Sequence, residues 1–380
     1  MDILEQIKNY NNAGYDWKSA LQSTEQDKSY HGEGDVWTHT MLVVEQLLGD
    51  GDFKALDKKE QKLLLLGAAL HDIAKPVCTK IEDGKIISPN HAVKGETTAR
   101  TLIYKYAFMQ ELFGKINFSE REQVCSLVRY HGLPLLFLEK AEIEAPVFKA
   151  SLEIKPEYLY LLAKADINGR VSENNHLNLE KIELFKEFCM ENGCFANAKA
   201  FLNEGSRYMY FKRSESYLNY SSYVKDKFWV FLMSGIPAAG KDTYISNHLK
   251  EYPVISLDGI RLEMGVDPAK NQGAVVQEAK SRAKKLLAKK ESFVWNATNT
   301  TEKMRKPLID LFTDYNAMVE MIYVEAPVTE LLERNSLRAK PVPQNIIDKL
   351  TLHRTFEKTI VNLHSIGRQG WRFDVALHES

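Results

Sequence analysis

Residues 227–250 read KFWVFLMSGIPAAGKDTYISNHLK, and their interpretation sets the fold of the C-terminal half. An apolar run rich in aromatic and β-branched residues predicts a buried strand, and the amphipathic stretch after the glycines predicts a helix. Between them G-x-x-x-x-G-K stands in the strand–loop–helix context that a phosphate-binding P-loop requires. The backbone of Gly235, Ala238, Ala239 and Gly240 would close on phosphate oxygens at a helix N-terminus, and Lys241 would reach the β- and γ-phosphates. Asp242 stands where the magnesium-binding hydroxyl belongs, with Thr243 next to it. The stretch is therefore a broken site, a chance match, or a working site with a changed ligand. A carboxylate in the first helical turn sits in a favourable dipole field. The expectation is that Asp242 positions magnesium and Thr243 offers its hydroxyl and N–H near the α-phosphate.

YPVISLD, ESFVWNAT and MVEMIYVEA are further short apolar runs separated by longer amphipathic stretches. That alternation predicts a parallel α/β sheet. Asp258 and Arg261 lie three apart at a strand end. The carboxylate there either accepts a proton from an attacking hydroxyl or caps the following helix. Asn296, Thr298 and Asn299 end the next strand, close to where phosphate- or water-coordinating groups are needed. Arg334 and Arg338 fall at i, i+4 and predict one helix face, either a solvated basic surface or a lid over the γ-phosphate. KSRAKKLLAKK (280–290) reads in the same way as a solvated face or a nucleic-acid groove.

From about 36 to 170 the apolar spacing is helical, with few strand-like runs. Ser119 followed by Glu122 fits a capping box for one of these helices. This half carries His39, His71-Asp72, His91, His131 and Asp166, each on or beside a predicted helix end. Singly, such histidines are usually core or surface residues. The His71-Asp72 pair ends the apolar run LLLLGAAL, where a buried charge is costly unless something coordinates it. Several imidazole and carboxylate donors converging from separate elements suit Zn, Mn, Fe, Co or Ni.

The chain has 380 residues, more than one core usually organises, so two domains are expected. They are placed at 1–171 and 225–380, with 172–224 a connector carrying an aromatic patch (Tyr208, Tyr210, Phe211, Tyr217, Tyr220, Tyr223). A net charge of −1 gives no overall attraction for polyanions, so nucleic-acid contact would need local patches. The four cysteines are scattered and read as reduced thiols. The polar, acidic start is unlike a signal peptide, and no run approaches the roughly 18 apolar residues of a membrane span. No membrane association and a cytoplasmic location are expected.

The order H…HD…H…H…D in an all-α segment resembles the HD-domain metal-dependent phosphohydrolases. LHDIAKP, DGKIISPNHAVKGE and LVRYHG look especially like the HD module of bacterial tRNA nucleotidyltransferases, over residues 30–170. The resemblance implies that His39, His71, Asp72 and Asp166 hold one metal, that His91 and His131 hold or orient a second, and that Lys75 contacts a substrate phosphate. G-x-x-x-x-G-K, D-x-x-R and R-x-x-x-R in this order resemble polynucleotide 5′-kinases of the phage polynucleotide kinase–phosphatase type. That implies Lys241 on the transferred phosphate of ATP or another NTP with Mg²⁺, Asp258 as general base, Arg261 aligning it or gripping a phosphodiester, and Arg334 and Arg338 clamping the donor.

The whole resembles the bacterial HD–polynucleotide kinase end-healing enzymes. The expected fold is an all-α HD bundle followed by an α/β P-loop domain. The expected substrate is an RNA or DNA end, with RNA favoured, passed on to a ligase. A nucleotide phosphohydrolase fused to a small-molecule kinase, and a non-catalytic nucleotide-gated module, remain the alternatives.

Overall fold

The computed structural model describes residues 3–9, 16–106, 108–202, 206–207, 210–211, 228–267, 272–338, 340–352 and 373–377. The chain divides into two compact units, Met1–Ala200 and Phe201–Ser380.

The first unit is a helical bundle built on α1 (Val36–Gly49), α2 (Lys58–Leu70), α3 (His91–Lys105), α4 (Phe118–Tyr130), α5 (Glu144–Glu153), α6 (Pro156–Asn168) and α7 (Asn175–Glu191). Helix α2 starts on a capping box of Asp57 and Glu60 and buries Leu63 through Leu70 continuously. Each buried leucine contributes about 2 kcal/mol of transfer free energy. That burial anchors the helix whose C-terminal end presents His71 and Asp72. On α3, a Cβ at Gly95 would lie 2.8 Å from Val128 Cγ1, so the missing side chain lets α3 and α4 close together.

Two expectations change here. Helix α4 begins at Phe118 with Asn117 and Glu120 as its capping box, not Ser119 and Glu122. Asn117 already satisfies the first amides, and Glu122 is buried against Arg100 and Arg121 instead. An antiparallel hairpin, β1 (Lys80–Glu82) and β2 (Lys85–Ile87), also interrupts the helices. Its turn is Asp83-Gly84, both at positive φ (49° and 74°), a hairpin signal that the helical periodicity around it obscures.

Helix α7 packs on α6 within the first unit, so part of the expected connector is an element of the bundle. Of the aromatic patch, Tyr210 is buried and its ring meets Phe211 edge-on, whereas Tyr208, Tyr217, Tyr220 and Tyr223 lie outside the described residues.

The second unit holds a parallel sheet in the order β4–β5–β3–β6–β7. Its strands are β3 (Trp229–Ser234), β4 (Val254–Ser256), β5 (Phe293–Asn296), β6 (Met318–Glu325) and β7 (Phe373–Leu377). The helices between them are α8 (Lys241–His248), α9 (Leu257–Glu263), α10 (Gln272–Ala288), α11 (Glu302–Asp314), α12 (Val328–Ser336) and α13 (Gln344–Leu352). Strand β3 is central and almost wholly buried, as its apolar run demands. Its C-terminal end opens into the glycine loop, with β5 and β6 on either side. No helix among the described residues is long and apolar enough to cross a membrane.

Candidate metal centre and nucleotide loop

In the bundle, the six residues His39, His71, Asp72, His91, His131 and Asp166 come together from α1, the end of α2, the start of α3, the end of α4 and α6. Two of them, His71 and His131, sit at helix C-termini, where the backbone dipole favours a cation. Three histidines are fixed alike. Nδ1 of His71 lies 2.7 Å from the Ala68 carbonyl, that of His91 2.7 Å from Ser88 O, and that of His131 2.8 Å from Val128 O. A carbonyl only accepts, so Nδ1 carries the proton and Nε2 offers a lone pair, the tautomer that a metal ligand needs. His39 Nδ1 lies 2.8 Å from Glu33 Oε1, so a carboxylate orients the fourth ring.

Asp72 is the shared member. Its Oδ2 faces His71 Nε2 at 3.2 Å, and its Oδ1 faces His91 Nε2 at 3.4 Å and His131 Nε2 at 3.9 Å. His39 Nε2 lies 2.9 Å from Asp166 Oδ1 and 4.0 Å from Asp72 Oδ2. Two ligands at right angles on an ion, each about 2.1 Å away, are themselves about 3 Å apart, so these separations suit one ion on each side of Asp72. His71 Nε2 and Asp72 Oδ1 are buried without any hydrogen bond. Buried polar atoms left this way are expensive, and a cation satisfies them. The donor set therefore fits divalent transition metals.

The electrostatics agree. Burial would raise Asp72, but the Lys75 ammonium and His71 hold it well below the usual carboxylate range. Asp166, also buried, is held down chiefly by the Arg170 guanidinium, which grips it at 3.1 and 2.6 Å. Burial pushes His131 down to about 3, leaving it neutral. His71 goes the other way: burial opposes charge, yet Asp72 raises it, so the field at its Nε2 favours a positive partner.

A cavity of about 270 Å³ opens onto this cluster, and Gln26, Lys75, His91 and Arg170 are among the residues that line it. Lys75 Nζ lies 2.7 Å from Asp72 Oδ2 and donates to Gln26 Oε1 at 2.6 Å. Gln26, Glu33 and Arg170 escaped the sequence reading. None stands in a motif: Arg170 meets Asp166 at i, i+4 and Glu33 lies close to His39 in sequence, whereas Gln26 reaches Lys75 across 49 residues only in the folded bundle.

In the second unit the loop takes the P-loop course. Gly235 (φ 151°), Ala238 (φ 66°) and Gly240 (φ 104°) turn the chain, and Gly240 precedes α8. A Cβ at Gly235 would lie 2.5 Å from the Val324 carbonyl oxygen, so no other residue fits. Lys241 Nζ donates to Gly235 O (2.8 Å) and Ile236 O (3.1 Å), folded over the loop it would share with a phosphate. Loss of solvent pushes its ammonium down to about 8. Asp242 and Thr243 follow in the first turn of α8, both exposed, with Asp242 Oδ1 accepting from Asn296 Nδ2 at 2.7 Å. Glycine backbone, lysine and carboxylate together suit a nucleotide triphosphate with its magnesium.

The other expected residues divide. Ser256, not Asp258, caps α9, its side chain accepting from Gly259 N. Asp258 is left exposed and ion-paired with Arg261, which also donates to Gln272 Oε1. Arg334 pairs with Glu330 on α12. Arg338 is not on that helix face: α12 ends at Ser336, and Asn335 exchanges two hydrogen bonds with the backbone of Val342 and turns the chain away. Asn299, buried at positive φ, donates to Met233 O and clamps the P-loop strand rather than facing a ligand. On α10, Val275, Ala279, Ala283 and Leu287 form the buried stripe, and Arg282 is engaged by Glu263 and Glu278.

Comparison with known proteins agrees with this division. Residues 36–166 match the HD domain family and residues 230–356 match an AAA domain family. The chain thus joins an HD domain to an AAA/P-loop domain. One curated relative, the L-seryl-tRNA(Sec) kinase of Methanococcus maripaludis, is 25% identical over 130 residues, 32% of this chain and 50% of that protein. The chain therefore spans about half the length of that curated relative.

Proposed function

We propose that this protein heals broken RNA ends. In this reading the HD domain removes a 2′,3′-cyclic, 2′- or 3′-phosphate, and the P-loop domain transfers the γ-phosphate of an NTP to a 5′-OH. The observation that carries the hydrolytic half is the pair of imidazole nitrogens, His91 Nε2 and His131 Nε2, facing each other 3.2 Å apart beside Asp72 in a cavity lined by Lys75 and Arg170. When bound, divalent ions supply Lewis-acid polarisation and water activation. Lys75 holds a phosphate oxygen by exchanging its bond to Gln26 for one to substrate. Arg170 fixes Asp166 and adds positive charge to the wall of the cavity.

In the kinase half, Lys241 releases the loop carbonyls and neutralises the transferred phosphate. Asp258 Oδ accepts the proton of the attacking hydroxyl, and the Arg261 guanidinium holds that carboxylate in place. Arg334 and Arg338 would approach the donor from the far side. A relative named for acting on L-seryl-tRNA(Sec) supports an acceptor hydroxyl borne by RNA. A ligase that joins a 5′-phosphate to a 3′-OH would consume the product.

One oligonucleotide with a 5′-OH and a 3′-phosphate, given ATP and a panel of divalent ions, tests the reading. Lys241→Ala or Asp258→Ala should abolish only 5′ phosphorylation, and His71→Ala or Asp72→Ala only 3′ dephosphorylation. Phosphorylation of free nucleosides with both oligonucleotide ends unchanged would instead assign a small-molecule kinase.

A further inference from the structure

In P-loop enzymes magnesium is held by a Ser or Thr hydroxyl in the first turn after the glycine loop, together with an Asp at the end of a strand. This chain departs at both places. The loop position is Asp242, and Asn296 is the last residue of β5, the strand hydrogen-bonded directly beside β3. The two departures meet, because Asn296 Nδ2 donates to Asp242 Oδ1 at 2.7 Å. They are also complementary. Hydroxyl plus carboxylate carries one negative charge, and so does carboxylate plus amide.

We infer that the two magnesium-positioning roles have been exchanged between loop and strand, with Asp242 supplying the anionic oxygen and Asn296 the neutral polar group that orients it. The inference rests on the kinase reading above. The amide occupies Oδ1 and leaves Oδ2 for the ion. The end of β5 is held against the P-loop by Thr298 O, which accepts from Gly235 N at 2.9 Å, and by Asn299 Nδ2, which donates to Met233 O at 2.9 Å. Asn296 therefore approaches Asp242 from a fixed support. Either residue changed alone breaks the charge balance. Asp242→Ser leaves no carboxylate, and Asn296→Asp sets two carboxylates against each other where an amide now donates. Changing both restores one of each.

The test measures ATP affinity of the full chain by calorimetry, with Mg²⁺ and with EDTA, for wild type, Asp242→Ser, Asn296→Asp and the double variant, with a thermal melt of each. Wild type should bind more tightly with Mg²⁺. Each single variant should lose about tenfold of that gain, and the double variant should recover to within about threefold, a non-additivity of the size expected for contacting residues. Asp242→Asn, which keeps the shape and removes the charge, should lose the Mg²⁺ gain, read as the ratio of its own affinities with Mg²⁺ and with EDTA. Additive losses in the double variant, or an undiminished Mg²⁺ gain in Asp242→Asn, would overturn the exchange while leaving the nucleotide site standing. A wild-type protein that binds no ATP would overturn the kinase reading and the exchange together.

Discussion

His91 Nε2 and His131 Nε2 face each other 3.2 Å apart, and each ring's other nitrogen is committed to a backbone carbonyl. Two lone pairs so placed repel unless a cation lies between them. The opposing sides of Asp72 carry separate histidines, His39 and His71 on one and His91 and His131 on the other. The double variant His91→Ala/His131→Ala should therefore lose about one metal per chain while retaining the other. Elemental analysis of purified protein measures this, and an unchanged metal content would refute the second position.

Glu33 Oε1 lies 2.8 Å from Nδ1 of both His31 and His39, and its Oε2 accepts from the amide of Val171, so its position is fixed from two sides. A partner orienting a metal-binding histidine typically accounts for about 10–100-fold in metal affinity. Glu33→Gln should weaken metal retention by that order in a competitive chelator titration, with the helical circular-dichroism signal unchanged. Glu33→Asp, which keeps the charge, should recover part of it.

Chelation should act on stability as well as on hydrolysis. His39, His71, Asp72, His131 and Asp166 are buried and His91 is half-buried, and His71 Nε2 and Asp72 Oδ1 have no hydrogen-bond partner. An ion that binds only the folded state adds stability by mass action. Stripping with a strong chelator should lower the melting temperature of the HD unit, and added divalent ion should restore it. ATP binding by the P-loop unit should survive stripping once Mg²⁺ is returned.

Away from both sites, Glu122 is buried between Arg100 and Arg121 and is held below its ordinary 4.5. Burial works against this shift, and the two guanidinium groups overcome it. A carboxylate lowered in the fold adds stability that is present above its unfolded value and is lost as pH falls through the folded one. Glu122→Gln should cost about 3 kcal/mol at neutral pH by leaving Arg100 less compensated. It should also flatten the acid limb of the stability curve below pH 4.5. Chemical denaturation across pH reads both, and an unchanged acid slope would show that other carboxylates set it.

Fold class and the local chemistry of each unit follow from the order of residues along single elements. The 3.6-residue periodicity before residue 170 and the short apolar runs after 225 required a bundle and a parallel sheet, because burial follows from spacing along one element. Gly235, Gly240 and Lys241 were legible for the same reason: a P-loop is contiguous, so its chemistry is written in order. His71-Asp72 was legible because a charged pair closing an apolar run needs a partner.

Tertiary structure decided what depends on approach between distant segments. Gln26 reaches Lys75 only when the bundle closes, whereas Arg170 and Glu33 lie close to Asp166 and His39 in sequence but in no motif that marks their part in the site. The capping residue of α9 was ambiguous until the backbone gave that task to Ser256 and left Asp258 free for Arg261. Arg338 fell off the expected helix face because Asn335 bonds to Val342, a contact that periodicity cannot express. Asp242 began as a defect in a motif. It is the neighbouring strand, setting Asn296 against it across 54 residues of sequence, that gives the substitution a partner.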